Sequence, residues 1–258
     1  MSSSTHRKIA LVTGAAKRLG QAIALALADA GWDIVVHFGH SSAEAEDTVG
    51  QIRARGREAI ALQCDLSDAD AVRALLHKAN SDFGKVGCVV NNASLFDYDA
   101  VADFSVACLE RHMRVNLAAP ILLAKALHEL TPDGEQAVVI NLLDQKLYNL
   151  NPDFLSYTLS KSALDSATVM LAQALAPKLR VVGVAPGLTM ISHLQTEEEF
   201  AATHAMSPLG ESSRPDEVAQ AVVFAAGNRA MTGTTLLVDG GQHLMGMNRD
   251  FSLINRNS

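Results

Sequence analysis

Metal-binding and disulfide motifs are scarce in this sequence. Its three cysteines, Cys64, Cys88 and Cys108, are odd in number and lack C-x-x-C spacing, which argues against a disulfide framework or a zinc site. They are typical of reduced, mostly buried thiols in a cytosolic protein. The nine histidines form no H-E-x-x-H or H-x-H grouping, so no metal site is expected. The sequence also lacks the G-x-S-x-G elbow of a hydrolase.

Long apolar runs and excess positive charge are lacking as well. The first residues, MSSSTHRKIALVTG, contain no stretch suited to a signal peptide, and no apolar run reaches the ~18 residues that a membrane span needs. The 21 Lys and Arg residues are outnumbered by 28 Asp and Glu residues, for a formal net charge of −7. This acidity argues against a nucleic-acid partner. We therefore expect a cytoplasmic protein with neither a membrane nor a nucleic-acid partner.

What the sequence does contain is an alternation of short β-branched apolar segments with longer amphipathic ones. The chain has 258 residues, 48% of them hydrophobic, which suits one domain with a sizeable core. The predicted strands are Ile9–Thr13, Asp33–Phe38, Glu58–Gln63, Cys88–Asn91, Ala137–Leu142, Val181–Ala185 and Thr235–Val238. The predicted helices are Leu19–Asp29, Ser42–Arg55, Asp68–Phe83, two between Val101 and Leu130, Phe154–Leu175 and Arg214–Gly227.

This alternation predicts an α/β fold. Most of the strands are apolar throughout, which is typical of a parallel sheet covered on both sides. We expect a single domain over residues 1–258, with a Rossmann-type doubly wound parallel sheet of about seven strands and helices on both faces. Segment 188–210 lacks a clear element and follows a strand end, so it is predicted to be a substrate loop or lid. Residues 247–258 form a C-terminal tail of unassigned role.

A glycine-containing turn links the first strand to the first helix, in the sequence Thr13-Gly14-Ala15-Ala16-Lys17-Arg18-Leu19-Gly20. Glycine at such a turn lets the backbone approach a pyrophosphate, and the following helix N-terminus supplies N–H donors. The spacing alone is weak and also fits a plain tight turn. Its place between a strand and a helix favours dinucleotide binding.

The end of the second strand indicates which dinucleotide is bound. Enzymes that bind a free ribose 2′-hydroxyl usually have an acidic residue there. Here the strand ends His37-Phe38-Gly39-His40-Ser41, without a carboxylate. With Lys17 and Arg18 nearby in sequence, this favours a 2′-phosphate and hence NADP over NAD. The alternative is that both histidines are merely solvated loop residues.

Three residues of the middle of the chain suggest acid/base chemistry. Tyr157 and Lys161 are four apart in a predicted helix, so they share a face. A lysine cation beside a phenol is expected to lower the pKa of the tyrosine. Asp144 follows the strand Ala137–Leu142 and therefore lies at the same sheet edge as the glycine turn. Carboxylate, phenol and ammonium are expected to converge beside the nicotinamide.

Together these motifs resemble the short-chain dehydrogenase/reductase family, in order and over nearly the whole chain. The motifs are Thr13-Gly14 with Gly20, Asn91-Asn92-Ala93, Asn116, Tyr157-x-x-x-Lys161, Pro186-Gly187 and Val238-Asp239-Gly240-Gly241. The resemblance implies that Tyr157 is the catalytic acid, that Lys161 orients the nicotinamide ribose, and that Asn116 holds a proton-relay water. The expected cofactor-binding residues are Gly14, Lys17, Arg18, Leu19, Gly20, His37, His40, Ser41, Asp65, Leu66, Asn92, Ala93, Tyr157, Lys161, Pro186, Gly187 and Thr189.

Two departures from the family pattern resemble its pteridine reductase branch. Arg18 replaces the middle glycine of the turn, and Asp144 replaces the usual catalytic serine. A carboxylate can accept hydrogen bonds from an amino-pyrimidine edge, whereas a hydroxyl suits a carbonyl oxygen. The alternative for Asp144 is a loop cap in a decayed site. In that branch an aromatic residue at the position of Phe96 stacks on the pterin, although a core aromatic is the other interpretation.

The resemblance therefore implies an NADPH-dependent reductase that transfers hydride to a dihydropterin or dihydrofolate. Its expected substrate-binding residues are Arg18, Ser94, Phe96, Asp144 and Tyr157. The family also implies a homotetramer that uses the helix Phe154–Leu175. The competing functions are a ketone or alcohol oxidoreductase and a non-catalytic NADP-sensing protein.

Overall fold

The computed structural model describes residues 7–192 and 195–254. Its first half contains the elements β1 (Ile9–Val12), α1 (Arg18–Asp29), β2 (Asp33–Phe38), α2 (Ser42–Ala54), β3 (Ala59–Gln63), α3 (Ala69–Asp82), β4 (Cys88–Asn91), α4 (Val106–Met113) and α5 (Ala119–Leu130). Its second half contains β5 (Ala137–Leu142), α6 (Leu155–Ala174), β6 (Leu179–Pro186), α7 (Glu197–Ala205), α8 (Pro215–Gly227) and β7 (Thr235–Val238). The π-helical segment Arg114–Ala118 joins α4 to α5, and the 3₁₀ segment Gln145–Tyr148 follows β5.

The seven strands form one sheet in the order β3-β2-β1-β4-β5-β6-β7, and every pair is parallel. Alternate strand residues supply the two core layers, because neighbouring side chains in a strand point to opposite faces. In β1, Ala10 and Val12 join the layer that contains apolar residues of α1, α2 and α8. Ile9 and Leu11 join the layer with α3 and α5. This arrangement confirms the predicted doubly wound α/β sheet.

The segment predicted to be an irregular lid contains a helix, so that part of the prediction is wrong. The helix α7 begins after Thr196, whose hydroxyl accepts the Glu199 N–H while the Glu199 carboxylate accepts the Thr196 N–H. This reciprocal capping box and three acidic residues in the first turn stabilise a short helix without an apolar stripe. Residues 193 and 194 of the predicted lid lie outside the described residues.

No helix in the described ranges is long and apolar enough to cross a membrane.

Candidate active site

The loop between β1 and α1 is shaped by two glycines. Gly14 has a φ of +63°, in the left-handed region that favours glycine. A Cβ on Gly20 would press on the carbonyl of Gly14 and lie 2.6 Å from the Asn92 side-chain nitrogen. Thr13 Oγ1 accepts the N–H groups of Asn92 and Ala93, each at 3.0 Å, and so ties this loop to the end of β4. The result is a compact turn at the carboxyl edge of the sheet.

His37 is hydrogen-bonded to this turn from the end of β2. Its Nδ1 accepts the Gly14 N–H at 3.1 Å, and its Nε2 lies 3.1 Å from the carbonyl of Cys64. The ring is buried, and burial lowers the pKa of His37 to about 4. A neutral ring with both nitrogens engaged offers no charge or donor to a phosphate. The alternative that His37 is a solvated loop residue is therefore wrong, and any contact of His37 with the cofactor, which stays a prediction, would not be through a free ring nitrogen.

Other expected phosphate-side residues lie around this edge. Lys17 is exposed, and its Nζ is 4.0 Å from the carboxylate of Glu44. Ser41 immediately precedes α2, and His40 is exposed beside it. Asp65, which follows β3, accepts the Ser67 N–H at 2.8 Å, and this hydrogen bond lowers the pKa of its carboxyl.

Arg18 connects the turn to the segment after β6. As the first residue of α1 it has a φ of +55°, a conformation that disfavours a residue with a side chain by roughly 1–2 kcal/mol. Its guanidinium donates to the carbonyl of Ile191 at 2.8 Å. Arg18 thereby lies between the turn and a cavity of about 230 Å³, which is lined by Arg18, Phe96 and Asp144 among others.

The centre of the site is a hydrogen bond between Tyr157 and Asp144. The Tyr157 hydroxyl donates to Asp144 Oδ2 at 2.7 Å, while Asp144 Oδ1 accepts the Lys146 N–H at 2.8 Å. Asp144 is therefore both the N-cap of the 3₁₀ segment and a partner of the tyrosine. Its capping role agrees with the structural alternative considered from sequence, but the same carboxylate also faces the cavity.

The shift in the pKa of Tyr157 contradicts the expectation that Lys161 lowers it. Burial, followed by the charge of Asp144 and the hydrogen bond to it, raises the pKa of Tyr157 well above its ordinary value. The expected lowering by Lys161 is therefore wrong in this structure. Desolvation likewise raises the pKa of Asp144. The phenol holds its proton and can act as a donor, which suits the acid of a reduction.

Lys161 is buried one helical turn from Tyr157. Its Nζ donates to the carbonyl of Leu142 at 2.7 Å and lies 5.8 Å from the centre of the Tyr157 ring. Burial lowers the pKa of Lys161 to about 8. Burial of a lysine whose charge acts near a reacting group is typical of a functional site.

Asn116 lies in the π-helical segment, an irregularity that is frequent at functional sites. Its amide donates to the Leu95 carbonyl at 2.9 Å and to Ser160 Oγ at 3.0 Å, and its oxygen accepts the Leu95 N–H at 2.8 Å. Ser94 also donates to that oxygen, at 3.3 Å, and is exposed. Asn116 thus fixes the loop after β4 against α6 rather than contacting Tyr157 or Lys161.

Phe96 lies on the wall of the cavity. Its ring stacks on Phe154 with centroids 4.3 Å apart at 17°, and it meets the edge of Tyr157 at 4.6 Å and 85°. The ring is therefore packed against the protein on these sides while it still lines the cavity. Phe96 therefore has the contacts of a core aromatic and also lines the cavity, and its role as a ligand platform stays a prediction.

The segment after β6 closes the other side of the site. A Cβ on Gly187 would lie 2.6 Å from Gln242 Oε1, so glycine permits close packing there. Pro186 ends β6, and Thr189 Oγ1 lies 2.9 Å from the Gly187 carbonyl and 2.7 Å from Ser213 Oγ.

Sequence reasoning missed several residues of the cavity. Met190 and Ser192 line the cavity from the segment predicted to be a substrate loop or lid, whereas the lining residues that were missed are Gln145, Asp250, Phe251 and Ser252. The last three belong to the tail, and Lys146 and Asp153, which form hydrogen bonds with Asp250, lie about a hundred residues earlier in the sequence. No local pattern marks such contacts, although the apolar residues Phe251 and Leu253 hint that the tail is buried.

Comparison with known proteins agrees with this geometry. A family model described as Enoyl-(Acyl carrier protein) reductase matches residues 14–243. An L-rhamnose 1-dehydrogenase (NAD(P)(+)) from Sphingomonas sp. is 32% identical over 245 residues, which cover 92% of this chain and 96% of that protein.

Two solved structures extend the comparison. FolM Alternative dihydrofolate reductase 1 from Brucella canis, complexed with NADP, has a TM-score of 0.90 and 38% identity, covering 95% of this chain and 97% of that one. A short chain dehydrogenase from Burkholderia cenocepacia in complex with NADP has a TM-score of 0.83 and 30% identity, covering 91% and 97%. The chain belongs to the short-chain dehydrogenase/reductase family of oxidoreductases.

Proposed function

We propose that this protein is an NADPH-dependent reductase of a pterin, of the dihydropterin or dihydrofolate type. The observation that carries the proposal is the 2.7 Å hydrogen bond between Tyr157 and Asp144 on a cavity that Phe96 and Arg18 also line. A family member specialised for simple carbonyls needs only a hydroxyl at the position of Asp144. The likeness to a protein named as an alternative dihydrofolate reductase supports the same substrate class.

The residues around the glycine turn fit a dinucleotide. Within the described part of the chain, no side chain caps α1, so the N–H groups of its first turn remain donors for a pyrophosphate. Gly14 and Gly20 allow the compact turn, His40 and Ser41 would lie toward a 2′-phosphate, and Arg18 would lie near the phosphates and the pterin. Asp65 and Leu66 would lie toward the adenine, and Asn92 and Ala93 toward the adenosine side. When bound, NADPH supplies a hydride to a ring carbon of the substrate.

The protein's own side chains would manage the proton. Tyr157 retains its proton and can donate it toward a ring nitrogen that gains electron density. Asp144, in contact with that phenol, can accept a hydrogen bond from an amino-pyrimidine edge and relay a replacement proton. Lys161 would hold the nicotinamide ribose, and its charge would stabilise the phenolate once the proton has left.

The cofactor preference provides one test. We expect kcat/KM for NADPH to exceed that for NADH at least ~100-fold at pH 6, because two hydrogen bonds to a charged phosphate are worth about 1.5–3 kcal/mol each. His40→Gln should weaken the preference, and His40→Arg, which keeps a cation at this position, should retain it. Equal values for the two cofactors at pH 6 would contradict the assignment.

The substrate class is tested through Phe96. Phe96→Ala removes a ring that packs against the substrate, so KM for a dihydropterin should rise roughly tenfold through lost stacking and apolar area. Phe96→Tyr retains a ring and serves as the matched control with a much smaller effect. Steady-state kinetics with a small aliphatic ketone complete the comparison, because that compound has no π face. If the Phe96→Ala protein is folded and its KM for the dihydropterin is unchanged, the proposed stacking role of Phe96 is wrong.

A ketone or alcohol oxidoreductase is the second candidate, and the similarity to an enzyme named L-rhamnose 1-dehydrogenase favours it. Oxidation of NADPH against pterins, folates, quinones, sugars and simple ketones separates the candidates. Preferential turnover of dihydropterins supports the proposed function. Turnover of carbonyl compounds alone supports the second candidate, and binding of NADPH without any turnover would indicate an NADP sensor.

We also propose a homotetramer in the cytoplasm. Leu159, Val169 and Met170 expose apolar surface on α6, the helix that the family resemblance assigns to an interface. Light scattering should give four times the 27.4 kDa chain mass. A charge at the most exposed of these positions, Met170→Glu, should shift the protein toward smaller species. A monomeric wild type would contradict this proposal.

A further inference from the structure

The C-terminal segment Arg249–Leu253 folds back against the active-site cavity. Asp153 anchors it, because Asp153 Oδ2 accepts both the Asp250 N–H and Arg249 Nε, each at 2.8 Å. Phe251 and Leu253 are buried, so the segment is packed as well as hydrogen-bonded. The segment therefore has a defined position beside Asp144 and Tyr157.

Asp250 brings a second carboxylate to this cavity. Its Oδ2 accepts Lys146 Nζ at 2.8 Å, and its Oδ1 accepts the backbone N–H and the hydroxyl of Ser252 at 2.9 and 2.6 Å. A carboxylate has about four acceptor positions. These three hydrogen bonds leave one position, on Oδ2, and Asp250 lines the cavity. The carboxylate is thus held in place and can still accept one more hydrogen bond.

Lys146 holds this carboxylate from the protein side. Its ammonium is buried, donates to the Asp153 carbonyl at 2.6 Å and lies 5.3 Å from the centre of the Phe154 ring. A buried ammonium needs a charged partner, and Asp250 is that partner. The pair fixes Asp250 without occupying all of its acceptor capacity.

A third acceptor on the same cavity has no partner. Gln145 is buried, and within the described residues its Oε1 forms no hydrogen bond although Gln145 lines the cavity. Buried polar atoms are normally hydrogen-bonded, so an unpaired one beside a cavity indicates a ligand donor. The cavity therefore contains three side chains that can accept hydrogen bonds, Asp144, Asp250 and Gln145. A simple ketone has no N–H group to donate to them.

We propose that Asp250 is a specificity-determining residue that accepts a hydrogen bond from the amino-substituted edge of a heterocyclic substrate, with Lys146 as its positioning residue. This inference rests on the proposed pterin reductase function and deepens it. A 2-amino-4-oxo pyrimidine ring has N–H donors on one edge, and the acceptors of the cavity complement them. The same ring system with an oxygen in place of the amino group lacks the exocyclic donor.

The test compares a dihydropterin with the dihydrolumazine that bears the same 6-substituent, since both offer the same reducible bond. Asp250→Asn removes the charge and half of the acceptor capacity with little change in shape. We expect kcat/KM for the dihydropterin to fall at least about tenfold, mainly through KM, because a hydrogen bond to a charged group is lost. The value for the dihydrolumazine should change much less. Fluorescence titration of the NADP⁺-bound enzyme should show the same difference in Kd.

Two further variants keep the test decisive. Lys146→Met/Asp250→Leu removes both charges and leaves no unpaired buried ammonium, and it should lose the preference for the amino compound as Asp250→Asn does. Arg249→Gln alters the adjacent anchor without changing the cavity lining, and it should keep the preference.

Each outcome has one meaning. Equal losses for both compounds, an unchanged preference in the Asp250 variants, or a comparable loss in Arg249→Gln would overturn the role of Asp250 while the pterin reductase function stands. A wild-type enzyme that reduces neither heterocycle would overturn the proposed function, and the inference with it.

Discussion

Tyr157→Phe is expected to lower kcat for pterin reduction by about 10²–10⁴-fold, the usual contribution of a positioned acid. The phenol is the donor in the 2.7 Å hydrogen bond to Asp144, and its raised pKa keeps it protonated. Phenylalanine retains the edge contact with the Phe96 ring, so the cavity keeps its shape. Stopped-flow measurement of the hydride-transfer step isolates this loss from product release.

The pH dependence of the variant distinguishes loss of an acid from loss of packing. The hydrogen bond from Tyr157 lowers the pKa of Asp144, so its removal raises a pKa that desolvation has already raised. Only protonated Asp144 can replace the missing acid. Residual activity should therefore increase as pH falls through the pKa of Asp144, while NADPH affinity stays near that of the wild type. Undiminished kcat, or a loss of NADPH binding equal to the loss of rate, would contradict the role of Tyr157 as acid.

The parts of this site that sequence could predict follow from the geometry of a parallel sheet. Apolar strands alternating with helices require a doubly wound sheet, and the ends of β1, β4 and β5 then lie on one edge. Asp144 follows β5 and Tyr157 lies thirteen residues later in α6, so their meeting was predictable. The capping box of Thr196 and Glu199 was also visible, and it would have predicted α7.

The remaining features depend on packing between distant segments. The burial of His37 results from contacts with the glycine turn and with Cys64, which determine both its pKa and its orientation. The sign of the shift in the pKa of Tyr157 depends on desolvation, and spacing to Lys161 carries no information about that. The position of Asp250 depends on anchors about a hundred residues away, which no local pattern in the tail encodes.

Asp144→Ser is expected to reduce kcat/KM for a dihydropterin by ~10²-fold, because it removes the carboxylate while restoring the hydroxyl that is usual in the family. Serine is also a good N-cap, so the hydrogen bond to the Lys146 N–H and the 3₁₀ segment should survive. Turnover of a small ketone should be kept or improved, since a hydroxyl is sufficient to donate to a carbonyl oxygen. NADPH affinity should change little.

Asp144→Asn and Asp144→Ala separate the functions of this carboxylate in the same assay. Asparagine keeps the cap and the shape but loses the charge, so its pterin turnover should be as low as that of Asp144→Ser. Alanine loses the cap as well, and its unfolding free energy should fall by a further ~1 kcal/mol. Loss of the Asp144 charge should also let the pKa of Tyr157 fall, because that charge and its hydrogen bond raise it. A serine variant with full pterin turnover would reduce Asp144 to its capping role, and the cavity would then be that of an ordinary carbonyl reductase.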